Sequence, residues 1–308
     1  MKRTILVVAA VLLAAFACRS ERPNAPVPGL AWILQESGTE ASLRGVSVVD
    51  DRTAWASGSN GTVLRTVDGG ATWAAMTVPG EESADFRDIE AFGPDEAVVM
   101  AIASPAKIYR TTDAGEHWTR TFFEDAPGIF LDGLAFFDES DGLAFGDPMD
   151  GRFVFIATAD GGASWAPLPD ESRPVAGDGE AAFAASGTSL AVLDDDRVWL
   201  CTGGSVSRVW RSTDRGRSWE AVPSGLLEGA PSSGAFSVAF HDAGNGIAVG
   251  GDYRAEDASE GNAAISADGG RTWQAVTAAR PGGYREAVAF VPGTTPPMAV
   301  TVGPTGSD

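Results

Sequence analysis

Short apolar runs that alternate with polar positions dominate this chain. Leu43 to Val49, Thr53 to Gly58 and Thr62 to Thr66 are examples, and turns rich in Gly and Asp separate them. Alternation with a period of two indicates half-buried β-strands, and turn signals at such short intervals are typical of all-β proteins. Beyond the N-terminal segment, no stretch has the 3.6-residue periodicity of an amphipathic helix. The pattern therefore predicts a succession of antiparallel strands.

The strands fall into groups of four, and five groups carry the same motif between the third and fourth strand. The motif is Ser/Thr-x-Asp-x-Gly-x-x-Trp. Its aspartates are Asp68, Asp113, Asp160, Asp214 and Asp268, and its tryptophans are Trp73, Trp118, Trp165, Trp219 and Trp273. Successive aspartates are 45, 47, 54 and 54 residues apart, and self-similarity at such a period is the signature of a repeat architecture.

Local chemistry predicts that each motif forms a rigid hairpin turn. The Asp carboxylate accepts hydrogen bonds from backbone N–H groups that follow it, as in an Asx turn. The Gly adopts a positive φ without a Cβ clash. The Trp begins the next strand and packs beneath the turn, burying on the order of 200 Å². We expect the five aspartates to be structural, because catalytic groups must converge on one substrate.

These residues match the Asp-box, also called the bacterial neuraminidase repeat, and the chain resembles Asp-box β-propellers. Gly142 to Pro148, Gly179 to Ser186 and Gly246 to Tyr253 further resemble bacterial secreted propellers related to the photosystem II stability/assembly factor family. The resemblance implies an all-β propeller built from four-stranded antiparallel blades. It also implies a non-catalytic assembly role, since the best-known members of that family are assembly factors.

The repeats predict five complete blades and a partial sixth, which consists of Tyr284 to Phe290 and Met298 to Val302. Because we find no third strand and no further Asp-box after Val302, we expect a truncated chain whose parent has six or seven blades. A complete but irregular chain is the alternative. We also expect Leu30 to Gln35 to form a strand that completes the blade made by the other end, which removes an exposed sheet edge.

The fourth repeat is the least regular of the five. We expect Ala181 to Ser186 as its first strand, followed by either Ser189 to Leu193 or Val198 to Cys201.

The N-terminus predicts export. Residues 1–17 read as a signal peptide, with Lys2 and Arg3 ahead of an apolar run that is too short to span a bilayer comfortably. Cys18 follows the small-x-small signal as in a bacterial lipobox, so it is a candidate for lipidation, with plain secretion as the alternative. Residues 18–29 form a Pro-rich tether, and the propeller covers residues 30–308. We expect the protein in the periplasm or cell envelope.

Charge and composition exclude several function classes. Loss of Lys2 and Arg3 leaves 22 − 2 = 20 basic residues against 42 acidic ones, a balance of −22. Such a charge argues against nucleic acid or anionic lipid as the main partner. With Cys18 and Cys201 as the only cysteines and two His in different repeats, we expect no disulfide framework and no metal site. No phosphate loop or dinucleotide fingerprint is present, so we expect no cofactor.

Charged residues recur close to the first strands, where these face the central channel. The binding candidates are Arg44, Arg87, Asp132, Glu180, Asp252 and Arg285. Two interpretations stay open: a polar channel mouth with solvated or paired charges, or a ligand pocket with Arg on one side and carboxylates on the other.

Two functions follow from these candidates. The first is a non-catalytic cell-envelope propeller that presents its channel face to a protein or glycan. The alternative is a glycoside hydrolase of the sialidase-like superfamily that uses rim carboxylates, with Asp147, Glu180, Asp252 and Tyr253 as candidates. Such an enzyme needs two carboxylates ~5–9.5 Å apart.

Overall fold

The computed structural model of the protein describes residues 31–308, and residues 36–308 form one unit made of six antiparallel sheets. The sheets are the blades of a β-propeller, so the predicted all-β propeller of antiparallel blades is confirmed. The one helix in the described range is a single 3-10 turn, Asp170–Ser172, so no helix there is long and apolar enough to cross a membrane.

The first three blades are regular, and each pairs four consecutive strands in chain order. Blade 1 contains β1 (Leu43–Val48), β2 (Ala54–Gly58), β3 (Thr62–Thr66) and β4 (Ala74–Thr77). Blade 2 contains β5 (Phe86–Ala91), β6 (Ala97–Ala101), β7 (Ala106–Thr111) and β8 (Thr119–Glu124). Blade 3 contains β9 (Leu131–Phe136), β10 (Gly142–Met149), β11 (Arg152–Thr158) and β12 (Ala166–Pro167).

Blades 4 and 5 share an irregular connection. Together the two blades contain ten strands, which are β13 (Glu180–Ala181), β14 (Leu190–Val192), β15 (Val198–Cys201), β16 (Gly203–Gly204), β17 (Arg208–Ser212), β18 (Glu220–Pro223), β19 (Ala230–Phe240), β20 (Gly246–Asp252), β21 (Ala263–Ser266) and β22 (Gln274–Ala275). Blade 4 has the order β14-β15-β17-β18, whereas β13 and β16 extend blade 5, in the order β13-β16-β19-β20-β21-β22.

The first strand of blade 4 is therefore Leu190–Val192, and the assignment of Ala181 to Ser186 to that place was wrong. Only Glu180–Ala181 is a strand there, and it pairs with Gly203–Gly204. The two stretches that we treated as alternatives, around Leu190–Val192 and Val198–Cys201, are both strands of the blade. The physical reason is that residues 182–188 leave the sheets and make tertiary contacts near the propeller axis.

Blade 6 contains β23 (Ala287–Phe290), β24 (Ala299–Gly303) and β25 (Gly306–Ser307). The last strand corrects the sequence analysis, which found no third strand after Val302, because Ser307 pairs with Val302 and Gly306 with Gly303.

Part of the N-terminal prediction can also be corrected. Residues 31–35 form no strand, and the side chains of Trp32, Ile33 and Leu34 are exposed, so a closing strand over that range was a wrong expectation. Leu30, the signal peptide of residues 1–17, the tether of residues 18–29 and Cys18 lie outside the described residues.

The hydrophobic core consists of clusters that each join two consecutive blades. Trp55 and Val63 of blade 1 pack on Phe86 and Ile89 of blade 2, for example. Trp55 is fully buried, and its indole Nε1 donates to the carbonyl of Gly93 at 3.0 Å. Packing from blade to blade brings the first strands β1, β5, β9, β14, β19 and β23 into succession, so they line the hub of the propeller.

Candidate functional site

The five Asp-box corners share one hydrogen-bond network. In the first, the Thr66 hydroxyl donates to Asp68 Oδ1 at 2.8 Å and accepts the Gly70 N–H at 2.9 Å. Asp68 also accepts the Thr72 N–H at 2.9 Å and the Thr72 hydroxyl at 2.7 Å. The Thr72 hydroxyl is the main reason that the pKa of Asp68 is lowered to about 2. Each such carboxylate is thus bound to its own turn.

The other four corners repeat this geometry around Asp113, Asp160, Asp214 and Asp268. In the second corner His117 replaces the last hydroxyl, and its Nδ1 lies 2.7 Å from Asp113 Oδ2. The corners belong to five different blades, so their carboxylates do not converge. Their tryptophans pack inward: Trp118, Trp165, Trp219 and Trp273 lie against the cores between blades.

Strand direction separates the two ends of the propeller. The Asp-boxes connect third to fourth strands, so they lie at the end where first strands finish. The other end carries the starts of the first strands and the ends of the second strands. We call it the hub face and define it by Arg44, Arg87, Asp132 and Asp147.

A segment of the chain itself fills the hub. We call residues 182–188 the plug. Its Ala182 N–H donates to Asp147 Oδ1 at 3.0 Å, and its Ala184 carbonyl accepts from Arg87 Nη1 at 2.7 Å. Its Ser186 hydroxyl donates to the carbonyl of Glu286 at 2.9 Å. Blades 2, 3 and 6 therefore all hold the plug, and its anchors include the predicted binding residue Arg87 and the catalytic candidate Asp147.

Blade 5 holds the other side of the plug. The Thr188 and Ser237 hydroxyls are 2.6 Å apart, and Ser237 also accepts the Val288 N–H at 3.0 Å. Phe183 stacks on Phe236 with ring centroids 3.8 Å apart. Polar and aromatic contacts thus fix the plug at both ends.

The middle of the plug lies against a buried carboxyl group. Gly187 has a φ of +75°, and a Cβ atom at that position would be 2.2 Å from Asp88 Oδ1. Asp88 accepts the N–H groups of Ile89 at 2.8 Å and Leu134 at 2.7 Å, so it links blade 2 to blade 3. Burial raises the pKa of Asp88 well above its usual value, and the nearby Glu90 adds to the effect.

Asp132 and Asp147 form an acidic pair at the hub face, beside the first residue of the plug. Asp132 is fully buried, and neither of its carboxylate oxygens has a hydrogen-bond partner of ordinary geometry among the described residues. Burial, followed by repulsion from Asp147, raises the pKa of Asp132 well above its usual value. Burial also raises the pKa of Asp147. The pair therefore holds a proton more readily than ordinary carboxylates do.

Glu180 lies in a different environment, because five donors surround its carboxylate. Arg208 binds both oxygens, with Nε 2.9 Å from Oε1. The Thr202 hydroxyl, the Gly177 N–H and the Trp210 indole supply the others at 2.5, 2.7 and 3.3 Å. Burial by itself would raise the pKa of Glu180, but Arg208 and the other donors outweigh it, so the pKa is lowered. Glu180 ties β13 to blade 4.

Arg285, another predicted binding residue, is also buried. It binds the Asp308 carboxylate, with Nε at 3.0 Å, and donates to Thr305 Oγ1 at 2.8 Å and the Tyr284 carbonyl at 2.9 Å. Arg285 therefore holds the last residues of blade 6.

Three predicted residues stay accessible at the hub face. Arg44 is half-buried, and its Nη1 lies 3.9 Å from Glu286 Oε1. Asp252 is the last residue of β20 and Tyr253 begins the loop that follows, and the Asp252 carboxylate accepts the Arg254 N–H at 2.9 Å. Tyr253 is 42 % exposed, and its ring meets that of Phe236 edge-on, with the ring centroids 6.3 Å apart.

The structure thus brings Arg87, Asp132 and Asp147 together at the hub face beside the plug and places Glu180 and Arg285 in separate networks. Sequence reasoning missed the plug and its partners Phe183 and Phe236. One signal was present, since the third and fourth Asp-box aspartates are 54 residues apart whereas the first two are 45 apart. The extra length in the fourth repeat contains the plug.

One group of side chains among the described residues has metal-ligand spacing. Ligand atoms of Asp113, Glu116 and His117 lie within 4.8 Å of one another. All three are surface residues, and Asp113 is already bound to its Asp-box turn, so we assign no metal to them.

Comparisons with known proteins agree with the fold. The family model of the photosynthesis system II assembly factor YCF48 matches residues 27–130. The photosystem II assembly lipoprotein Ycf48 of Picosynechococcus sp. is 23 % identical over 289 residues, 79 % of this chain and 76 % of that protein. The Ycf48 lipoprotein of Synechococcus sp. is 27 % identical over 136 residues, 44 % of this chain and 39 % of that protein.

A solved structure gives a further likeness. The GH74 xyloglucanase from Xanthomonas campestris has a TM-score of 0.62 and 16 % identity, over 86 % of this chain and 44 % of that one. At such identity the likeness shows the fold alone. The chain is an Asp-box β-propeller that resembles the photosystem II assembly factor family.

Proposed function

We propose that this protein is an exported, non-catalytic β-propeller that binds a protein partner through its hub face and acts as an assembly module. The observation that carries the proposal is the plug. Residues 182–188 occupy the hub, and Arg87 and Asp147 hold them there. A face whose charged groups bind the protein's own chain suits docking of a surface better than enclosure of a small substrate.

The exposed chemistry of the hub face supports protein binding. Tyr253 is partly exposed, and the Arg254 guanidinium lies 5.9 Å from its ring centroid. Phe236 supports the Tyr253 ring, because it contacts that ring edge-on and itself stacks on Phe183. Tyr and Arg on a rigid base are the residue types that dominate binding energy at interfaces. We place the centre of the interface at Tyr253 and Arg254, with Arg44 at its edge.

The relatives support the same proposal. Both Ycf48 proteins are named assembly lipoproteins, and the match to the Picosynechococcus protein covers 79 % of this chain. We therefore propose that Cys18 carries the lipid and that the tether holds the propeller at a membrane surface. Mass spectrometry of the mature N-terminus tests this: a diacylglycerol adduct on Cys18 is expected, and an unmodified N-terminal Cys18 would contradict it.

A glycoside hydrolase is the second candidate, and one observation favours it. Asp132 and Asp147 have raised pKa values, as the general acid of such an enzyme requires. Against it, Asp132 is fully buried and Asp147 already accepts the Ala182 N–H. Glu180 is saturated with donors, and the Asp252 carboxylate accepts a backbone N–H on a surface loop. These carboxylates are better suited to hold the fold than to flank a glycosidic bond.

Two measurements on the mature protein separate the candidates. We expect no turnover of a panel of aryl glycosides, a sialic acid substrate and xyloglucan. Turnover that Asp147→Asn abolishes would establish the hydrolase and refute the non-catalytic proposal.

The second measurement is crosslinking in intact cells, with a photoreactive group placed beside Tyr253. We expect one defined protein adduct, which Tyr253→Ala combined with Arg254→Ala removes. Arg217→Ala is the matched control, because Arg217 is an exposed arginine in the fourth Asp-box at the opposite end. An adduct that survives the double substitution, or is lost equally in the control, would contradict an interface at the hub face.

A further inference from the structure

A cavity lies at the opposite end of the hub from the proposed interface. It has a volume of about 320 Å³ and is lined by the later halves of β1, β5 and β9, by β14 and by the last residues of the plug. First strands run from the hub face towards the Asp-box end, so this space lies on the Asp-box side of the plug. We call it the lower cavity. Because the plug separates it from the hub face, it is independent of the proposed function.

The lining of the lower cavity combines acidic groups with exposed aliphatic ones. Glu90 and Asp88 are its charged residues, and no lysine or arginine lines it. Val46 and Val48, also in the lining, are 62 % and 70 % exposed although they lie on a first strand of the propeller. Aliphatic side chains left open in such a position offer apolar contact area to a ligand.

Glu90 is the charged group in the lower cavity that is available for a cation. The Ser47 hydroxyl donates to its Oε1 at 2.9 Å, and Ser47 is itself oriented by the Ala91 N–H, which it accepts at 3.1 Å. No ion pair within residues 31–308 includes Glu90. Asp88 differs, because both of its oxygens accept backbone N–H groups. Glu90 is thus a half-buried carboxylate that Ser47 positions and that has no ion-pair partner within residues 31–308.

We propose that the lower cavity binds a primary alkylammonium group carried on a short apolar chain, with the ammonium at Glu90 and the chain against Val46 and Val48. An ammonium group supplies the positive charge that this half-buried carboxylate lacks, and it can donate further hydrogen bonds beside the one from Ser47. Burial raises the pKa of Glu90, which is consistent with a missing cation. Two sources carry this chemistry: a small free amine and the lysine side chain of a protein.

Titration calorimetry with n-butylammonium on the mature protein tests the proposal. We expect saturable binding with a dissociation constant on the order of 1 mM, given the few heavy atoms of the probe. We expect 1-butanol, which has the same chain and no charge, to bind at least about tenfold more weakly, because a charge-assisted hydrogen bond is lost. Absence of saturable butylammonium binding, or equal binding of 1-butanol, overturns the proposal.

Variants then place the ammonium group. Glu90→Gln keeps the acceptor for Ser47 and removes the charge, so we expect butylammonium affinity to fall at least about tenfold. Glu96→Gln is the matched control, because Glu96 belongs to the same blade but pairs with Arg110 and does not line the cavity. Unchanged affinity in Glu90→Gln refutes the assignment. If that variant fails to fold, Val48→Trp, at an exposed position, should fill the cavity and abolish binding, and retained binding refutes the site.

A final comparison distinguishes the two sources. N-acetyl-lysine methylamide presents the same ammonium on a blocked peptide unit. Tighter binding of this compound than of butylammonium assigns the cavity to a lysine of a protein, and the reverse order assigns it to a free amine. Either order supports an alkylammonium site.

Discussion

Glu180 offers the sharpest test of whether the rim carboxylates hold the fold or perform chemistry. It is 4 % exposed, and its carboxylate accepts hydrogen bonds from Arg208, Thr202, Gly177 and Trp210. Glu180→Ala would leave the Arg208 guanidinium, half-buried against Trp210, without its counter-ion. Removal of one partner of a buried ion pair typically costs about 3–5 kcal/mol, and we expect the free energy of unfolding to fall by that amount.

Urea unfolding followed by circular dichroism and tryptophan fluorescence measures this change. The matched control is Glu220→Ala in blade 4, the blade that supplies Arg208, because Glu220 also pairs with an arginine, Arg211, but its own side chain is 77 % exposed. An exposed pair contributes about 0–1 kcal/mol, so the control should unfold close to the wild type. A Glu180→Ala loss below about 1 kcal/mol, or one equal to that of Glu220→Ala, would refute the structural role that we assign to Glu180.

The same carboxylate predicts a pH dependence with a definite sign. The folded-state pKa of Glu180 is lowered, whereas an unfolded Glu titrates near about 4.3. The ionised group therefore stabilises the fold above the unfolded pKa, and this contribution is lost as the pH falls through the folded pKa. Unfolding free energies of Glu180→Gln should depend less on pH over that acidic range than those of the wild type. Parallel acid profiles for the two proteins would contradict the assignment.

Three further changes test the Asp-box corners and the plug. Thr66→Val removes the hydroxyl that bonds Asp68 and the Gly70 N–H, so the unfolding free energy should fall by about 1–3 kcal/mol. Asp113→Asn removes the carboxylate whose hydrogen bond raises the pKa of His117, so the NMR titration midpoint of His117 should move down towards its ordinary value near about 6.5. Gly187→Ala places a methyl group against Asp88 at a positive φ, so the plug should open to limited proteolysis.

Each of these has a result that would count against it. Wild-type stability in Thr66→Val would mean that the corner does not need its hydroxyl. An unchanged His117 midpoint would show that the contact with Asp113 does not form in solution. For the plug, Gly80→Ala is the control, because Gly80 also has a positive φ but no atom within 4 Å of an added Cβ. Equal protease resistance of the Gly187 and Gly80 variants would show that the plug does not press on Asp88.

The blade architecture was largely readable from the sequence because the Asp-box is a local device. Its hydroxyl, acid, glycine and tryptophan act within eight residues, so the turn forms wherever the motif occurs, and strand alternation then locates the neighbours. The same locality explains the failures. Residues 182–186 have the alternation of a strand, yet Arg87 and Asp147, which hold that segment in the hub, are distant in the chain. The exposed Trp32 to Leu34 likewise match a strand pattern that residues 31–35 do not form.

The sequence by itself determined the repeat, the turn chemistry and the positions of most strands, since these depend on contacts between near neighbours. The tertiary structure alone decided what the charged residues do. From the sequence, Glu180 and Arg285 were both candidates to bind a ligand, but in the fold they pair with Arg208 and Asp308. Asp132 differs from an ordinary surface carboxylate only because the fold buries it. The charge of a side chain follows from its residue type, but its solvent exposure and its partners depend on segments that are far apart in the sequence.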